Sequence, residues 1–105
     1  MLFGNNSAVL DPEAVRQLTR LLPALRGPGV TVVIDGYASI AGAAQANYVL
    51  SYQRAAQVAY FFEKNGLPES SLIIVGHGAT DSFGRGSPDA NRRVLVVTEK
   101  SAGAF

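Results

Sequence analysis

Residues 47–62 read Asn-Tyr-Val-Leu-Ser-Tyr-Gln-Arg-Ala-Ala-Gln-Val-Ala-Tyr-Phe-Phe, and their spacing decides the fold. Asn47, Leu50, Ser51, Arg54, Ala55, Val58, Phe61 and Phe62 recur at three- and four-residue intervals, the repeat of a single helix face. The pattern predicts a long helix from about Ala43 to Asn65. Gly66 stands at the expected left-handed stop, Leu67 is placed for the accompanying apolar contact, and Pro68 bars continuation. On either side lie short apolar runs, Val30 to Ile34 and Leu72 to Val75, which read as buried strands. Strands alternating with helices predict an α/β fold in two layers, its sheet covered mainly on one face.

Working outward, a first helix is marked by Asp11 as cap, Pro12 at the first helical position and Glu13 in the first turn. Val15, Leu18, Leu21, Leu22 and Leu25 follow at helical spacing. Pro23 lacks a donor and crowds the preceding turn, so a kink or early end is expected there. Gly27-Pro28-Gly29 closes the segment. Asp35 to Ser39 is expected to be a loop, Gly76-His77-Gly78 through Gly86 a flexible stretch, and Ser87 to Asn91 a short helical turn. Val94 to Thr98 is the last predicted strand. A first strand would lie around Leu2, its missing part upstream. One domain over residues 1–100 is expected, followed by a frayed small-residue tail at 101–105.

Bulk properties narrow the classes. The 105 residues suit one core, and 48% hydrophobic with 16% charged residues is the balance of a globular fold. A net charge of +1 provides no field for nucleic acid or an anionic membrane. Cysteine is absent, which excludes disulfides and thiolate metal sites. No run approaches the roughly 18 apolar residues of a membrane span, and no signal segment opens the chain. Met1 leads directly into what reads as the middle of a folded unit, so the chain is expected to be a piece of a longer, membrane-associated protein whose export signal or anchor lies elsewhere.

Arg54 does not fit the apolar stripe around it. A guanidinium against a core must find an anion or several acceptors, because burying it unpaired is costly. Asn47, two turns earlier on the same face, brings an amide towards the end of the Val30–Ile34 strand. Two placements are open: a polar pocket at the edge of the helix–sheet interface, or a side chain that lays its stem on the core and sends its head to water.

At these residues a family becomes recognisable. Asp35-Gly36-Tyr37-Ala38-Ser39-Ile40-Ala41-Gly42, followed by Asn47, Leu50-Ser51, Arg54-Ala55 and Val58, resembles the signature of the OmpA C-terminal-like (OmpA/MotB) peptidoglycan-binding domains. Asn91-Arg92-Arg93-Val94 matches that family's closing Asn-Arg-Arg-Val, and Phe3 to Leu10 is similar to its opening Phe-Asp-x-Asn-x-x-x-Leu. The matches run in order along essentially the whole chain. The resemblance implies a βαβαβ-type domain with a mixed sheet, located in the periplasm or cell envelope. It implies non-covalent binding of the diaminopimelate in a peptidoglycan stem peptide. Arg54 would clamp the ligand carboxylate, Asn47 and Asn6 would line the pocket, and Arg93 or its neighbour Arg92 would lie close by. A zwitterion is well held by one cationic fork and one carboxylate.

The sequence departs from the family at that carboxylate. Ala38-Ser39 stands where the family has Thr-Asp, and Gly4 where it has the opening Asp. A hydrogen bond to a charged group contributes about 1.5–3 kcal/mol, so weakened or altered diaminopimelate recognition, by roughly 10- to 100-fold, is expected. Asp35 is set aside as a substitute on strand alternation. Asp81 would serve only if its loop folds back.

Other classes rank lower. His77 between two glycines has no nucleophile-elbow context and no metal-ligand companions, so a packing role is expected and no enzymatic one. Gly76 to Thr80 lacks the Gly-Lys-Ser/Thr of a phosphate loop. Arg85, Arg92 and Arg93 with Tyr37 or Phe83 form too small a cluster for nucleic acid. No cofactor is implied. The rival reading is a degenerate scaffold or protein-interaction module of an envelope complex, with Tyr48, Tyr52 and Tyr60 on a second helix face as its contact surface.

Overall fold

The computed structural model describes residues 3–4, 7–39, 44–80 and 91–100, without the side chains of the last two. Helix α1 spans Pro12–Leu25, strand β1 Val30–Ser39, helix α2 Ala44–Lys64, strand β2 Leu72–Thr80 and strand β3 Val94–Lys100. A single 3-10 turn at Glu69–Ser71 links α2 to β2. The sheet has the order β2-β1-β3, with β1 parallel to β2 and antiparallel to β3. It is therefore mixed, as expected. The expected first strand, the tail at 101–105 and the loop carrying Asp81 lie outside the described residues, apart from Phe3 and Gly4. Phe3 donates its N–H to the Arg92 carbonyl at 2.7 Å, which ties the opening segment to the start of β3.

Local chemistry explains the helix ends. The Asp11 carboxylate accepts from the Ala14 N–H at 2.8 Å, satisfying one of the donors that a helix start leaves orphaned. Helix α1 passes through Pro23 and stops two residues later, so the expected early end is corrected. The proline gives up one backbone bond and crowds the turn before it, and the helix closes within two residues. At the end of α2, Gly66 adopts φ +97°, Leu67 N–H bonds the Phe62 carbonyl and Gly66 N–H the Glu63 carbonyl. This double bond set closes the helix, and Leu67 is buried in the core beyond it.

Two further expectations are corrected. Asp35 to Ser39 is not a loop but the second half of β1, and Gly76 to Thr80 continues β2. Asp-Gly and Gly-x-Gly carry the chemistry of turns, but here strands on both sides of β1 offer ladder partners that keep the backbone extended. Irregularity is confined to a bulge: Gly36 pairs with Gly76 and Ala38 with Ala79, so β2 carries one residue more than β1. Gly78, at φ +75°, accommodates it.

Alternation along β1 sends Val32, Ile34, Gly36 and Ala38 towards the helices, and all four are buried. Leu18, Leu22 and Leu25 of α1 and Ala55, Val58, Ala59 and Phe62 of α2 complete that core. On the opposite face Ile73 and Val97 remain about half exposed, so both helices cover one side. Gly36 and Gly76, register partners in adjacent strands, form the seat of α2. A Cβ at Gly36 would overlap the Ser51 carbonyl oxygen, and one at Gly76 would lie 2.9 Å from the Tyr52 Cβ.

Gly36→Ala is predicted to destabilise the domain by about 3 kcal/mol or more, because backbone rather than a flexible side chain must give way. Gly66→Ala, where nothing lies within 4 Å, should cost only the left-handed backbone strain of about 1–2 kcal/mol. Urea unfolding of both variants checks this, and equal midpoints would contradict the tight helix–sheet seat.

Candidate functional site

Among the described residues the buried polar side chains are Ser39, Asn47, Ser51, Arg54 and Asn91. The fold sets them at one end of the molecule. Ser39 ends β1, Asn47 and Ser51 lie in the first two turns of α2, and Asn91 precedes β3, whose first residue pairs with Gly36. In open α/β sheets this is the edge where ligands are commonly received, beyond the carboxyl ends of parallel strands.

Arg54 is at the centre of this end. Its residue exposure is 0%, which excludes the snorkelling placement. Nε donates to the Ser7 carbonyl at 2.8 Å, Nη1 to the Tyr37 carbonyl at 2.9 Å and Nη2 to the Gly4 carbonyl at 3.0 Å. The Phe3 ring lies beneath the guanidinium, 5.5 Å from its carbon to the ring centroid. Three of the five N–H donors are thus committed to backbone oxygens. No carboxylate among the described residues forms an ion pair with it. Among the described residues the charge is therefore hydrogen-bonded without being neutralised. Burial first, and then the nearby Arg92 charge, pull its pKa down to about 10, which still leaves it cationic at neutral pH.

The neighbours of Arg54 are held by backbone and hydroxyl bonds. Ser51 Oγ donates to the Tyr48 carbonyl at 2.7 Å and accepts from the Gly78 N–H at 2.8 Å. The donor freed by the β2 bulge is thereby satisfied from α2. Arg92 Nε donates to the Phe3 carbonyl at 3.1 Å, and the Arg93 carbonyl accepts from Tyr37 N–H at 2.9 Å. Of the two closing arginines, Arg92 is the one whose charge acts on Arg54; Arg93 is half-buried and contributes through its backbone. Asn47 and Ser39 are both buried, each 8% exposed. Asn6 and Asp81 lie outside the described residues.

His77 is on β2, not in a loop, and has a packing role. Its Nε2 lies 2.7 Å from Asp35 Oδ1, and its ring stacks on Tyr37 with centroids 4.6 Å apart. Asp35 is thereby engaged. Alternation turns Asp35, like Tyr37, to the face of β1 away from α2 and Arg54, where it pairs with His77; it does not separate positions 35 and 39, which share a side in a regular strand. Sequence reasoning missed the three carbonyl acceptors and the Ser51 bridge. Backbone carbonyls leave no trace in residue identity. Ser51 carried a signal, a hydroxyl on the core stripe of α2.

The comparisons with known proteins agree with this fold. The family model described as the OmpA family matches residues 2–94, and the chain belongs to that family. It is similar to the outer-membrane lipoprotein YfiB of Pseudomonas aeruginosa, 31% identical over 92% of this chain and 61% of that protein. It is similar also to the peptidoglycan-binding protein ArfA of Mycobacterium tuberculosis, 33% identical over 90% of this chain and 31% of that protein. The chain thus spans about three fifths of one relative and under a third of the other. Among solved structures, the C-terminal domain of Helicobacter pylori MotB superposes with a TM-score of 0.85 at 18% identity, covering 97% of this chain and 84% of that one. The peptidoglycan-associated lipoprotein of Burkholderia pseudomallei gives 0.84 at 20% identity over 93% and 87%. At those identities the structures establish the shared fold.

Arg54→Leu is predicted to cost roughly 3 kcal/mol or more, at about 1 kcal/mol or more for each of the three hydrogen bonds removed. Arg54→Lys should fall short of wild type too, since one ammonium cannot serve three separated oxygens. Arg16→Leu, which breaks an exposed pair with Glu13, should change stability by less than about 1 kcal/mol. Chemical denaturation of the three variants gives the order directly.

Proposed function

We propose that this domain is a non-catalytic cell-envelope module that holds peptidoglycan non-covalently through a carboxylate of the stem peptide, with Arg54 as the clamp. The observation that carries the reading is the buried Arg54 charge, solvated by three carbonyls and left without a described counter-ion. Carbonyl dipoles lower the cost of burying a cation but do not cancel its charge, so the site favours an anion. Gly4 and Ser7 carbonyls occupy the Nε and Nη2 edge, so a ligand carboxylate engages the fork by displacing part of the opening segment. Asn47 and Asn6 orient the ligand, Arg93 supports the wall, and Ser39 takes the position of the acidic group that would receive a ligand ammonium. The names of the relatives ArfA and the peptidoglycan-associated lipoproteins favour the same ligand class. Those of YfiB and the lipoproteins favour the outer envelope as location. Residues 1–100 are proposed as the whole binding unit.

With Ser39 in the acidic position, recognition of diaminopimelate is weakened. Ser39→Asp is predicted to tighten binding of a diaminopimelate-containing muropeptide about 10- to 100-fold, the equivalent of one charge-assisted hydrogen bond. Calorimetric titration tests this. Wild-type affinity already unaffected by the added carboxylate, with the fold intact, counts against it.

A second reading rests on Tyr48, Val49, Tyr52 and Tyr60, which are 45–57% exposed along α2. Aromatic groups on one helix face suit a protein contact, and on that reading the domain is a scaffold in an envelope complex. Purified sacculi separate the readings: a wall anchor sediments with them, and a scaffold stays in solution.

A further inference from the structure

One groove lies outside the Arg54 site, walled in part by the residues that directly follow Ser7. Val9 and Leu10 of the opening segment face Gln57, Tyr60, Phe61 and Lys64 of α2 across about 470 Å³. That volume is within the range of small-ligand sites, about 300–1,000 Å³. Two features distinguish it from a packing defect. Val9 is 74% exposed although it belongs to the wall. Lys64 has no carboxylate partner among the described residues, its ammonium instead standing 5.2 Å over the Tyr60 ring.

Position fixes what would occupy it. Residues 54, 57, 61 and 64 follow one another at three- and four-residue steps, so the groove continues the stripe that carries Arg54. The opening segment does the same on the other side: Ser7 gives its carbonyl to Arg54, and Val9 and Leu10 follow as the wall. From Arg54 to Lys64 the helix rises about 15 Å, a length that an extended peptide covers in about four to five residues. The walls offer apolar contact to small side chains, Gln57 offers an amide to a peptide backbone, and Lys64 offers a cation to a carboxylate.

We propose that this groove is a second subsite for the same ligand, receiving the extended remainder of the stem peptide with Lys64 facing a second carboxylate. The proposal rests on the Arg54 reading above. It makes the domain a reader of peptide length as well as of one residue. The chain is titrated calorimetrically with free diaminopimelate and with a diaminopimelate-containing stem tetrapeptide. The tetrapeptide is expected to bind at least about tenfold tighter, one charged contact's worth. Lys64→Gln and Val9→Ser, both at exposed positions, should each remove most of that advantage and leave free diaminopimelate unaffected. Variants that bind the tetrapeptide like wild type, or lose both ligands equally, overturn the second subsite while leaving the Arg54 clamp standing. A wild-type chain that binds neither ligand ends both.

Discussion

A guanidinium is buried here with its charge intact, and much of the architecture follows from what that demands. Arg54 cannot reach water, so its donors must be met from inside. The acceptors come from two parts of the chain, the opening segment at Gly4 and Ser7 and the end of β1 at Tyr37. Neither part is near Arg54 in sequence. The side chain therefore acts as a cross-link between α2, the central strand and the first residues of the domain. Losing it would remove three hydrogen bonds at once, and buried acceptors deprived of a charged donor are among the more destabilising defects a small domain can carry.

Delivering Arg54 to that position requires α2 to lie very close to the sheet. Gly36 and Gly76, paired across β1 and β2, remove the side chains that would hold the helix away. The bulge at Gly78 then leaves a backbone donor that Ser51 accepts. Packing and polar satisfaction are thus solved by the same contact, as expected where buried polar groups must be paired. On the far side of the sheet, Asp35, Tyr37 and His77 form a separate cluster. Its carboxylate serves His77 and leaves the Arg54 site without one from that direction.

This arrangement gives family membership a physical content that shape alone lacks, since one fold hosts many functions. That content is electrostatic: a buried cation solvated by dipoles remains a cation, and Arg92 adds to the positive potential around it. On the proposed reading such a site receives a carboxylate-bearing partner, with Ser39 tilting it from a zwitterion towards a simple anion.

Residue pattern alone determined the helix positions, the glycine stop at Gly66, the strand order along the chain and the importance of Arg54, because each depends on periodicity or on one residue being chemically out of place. It misjudged Asp35 to Ser39 and Gly76 to Thr80, whose turn-like residues are held extended by neighbours distant in sequence. The partners of Arg54 were beyond its reach as well. They are main-chain oxygens, which every residue possesses, and only the approach of the opening segment and β1 to one helix face selects those three. Tertiary structure likewise settled that Asp35 belongs to His77, since cross-strand register places them together.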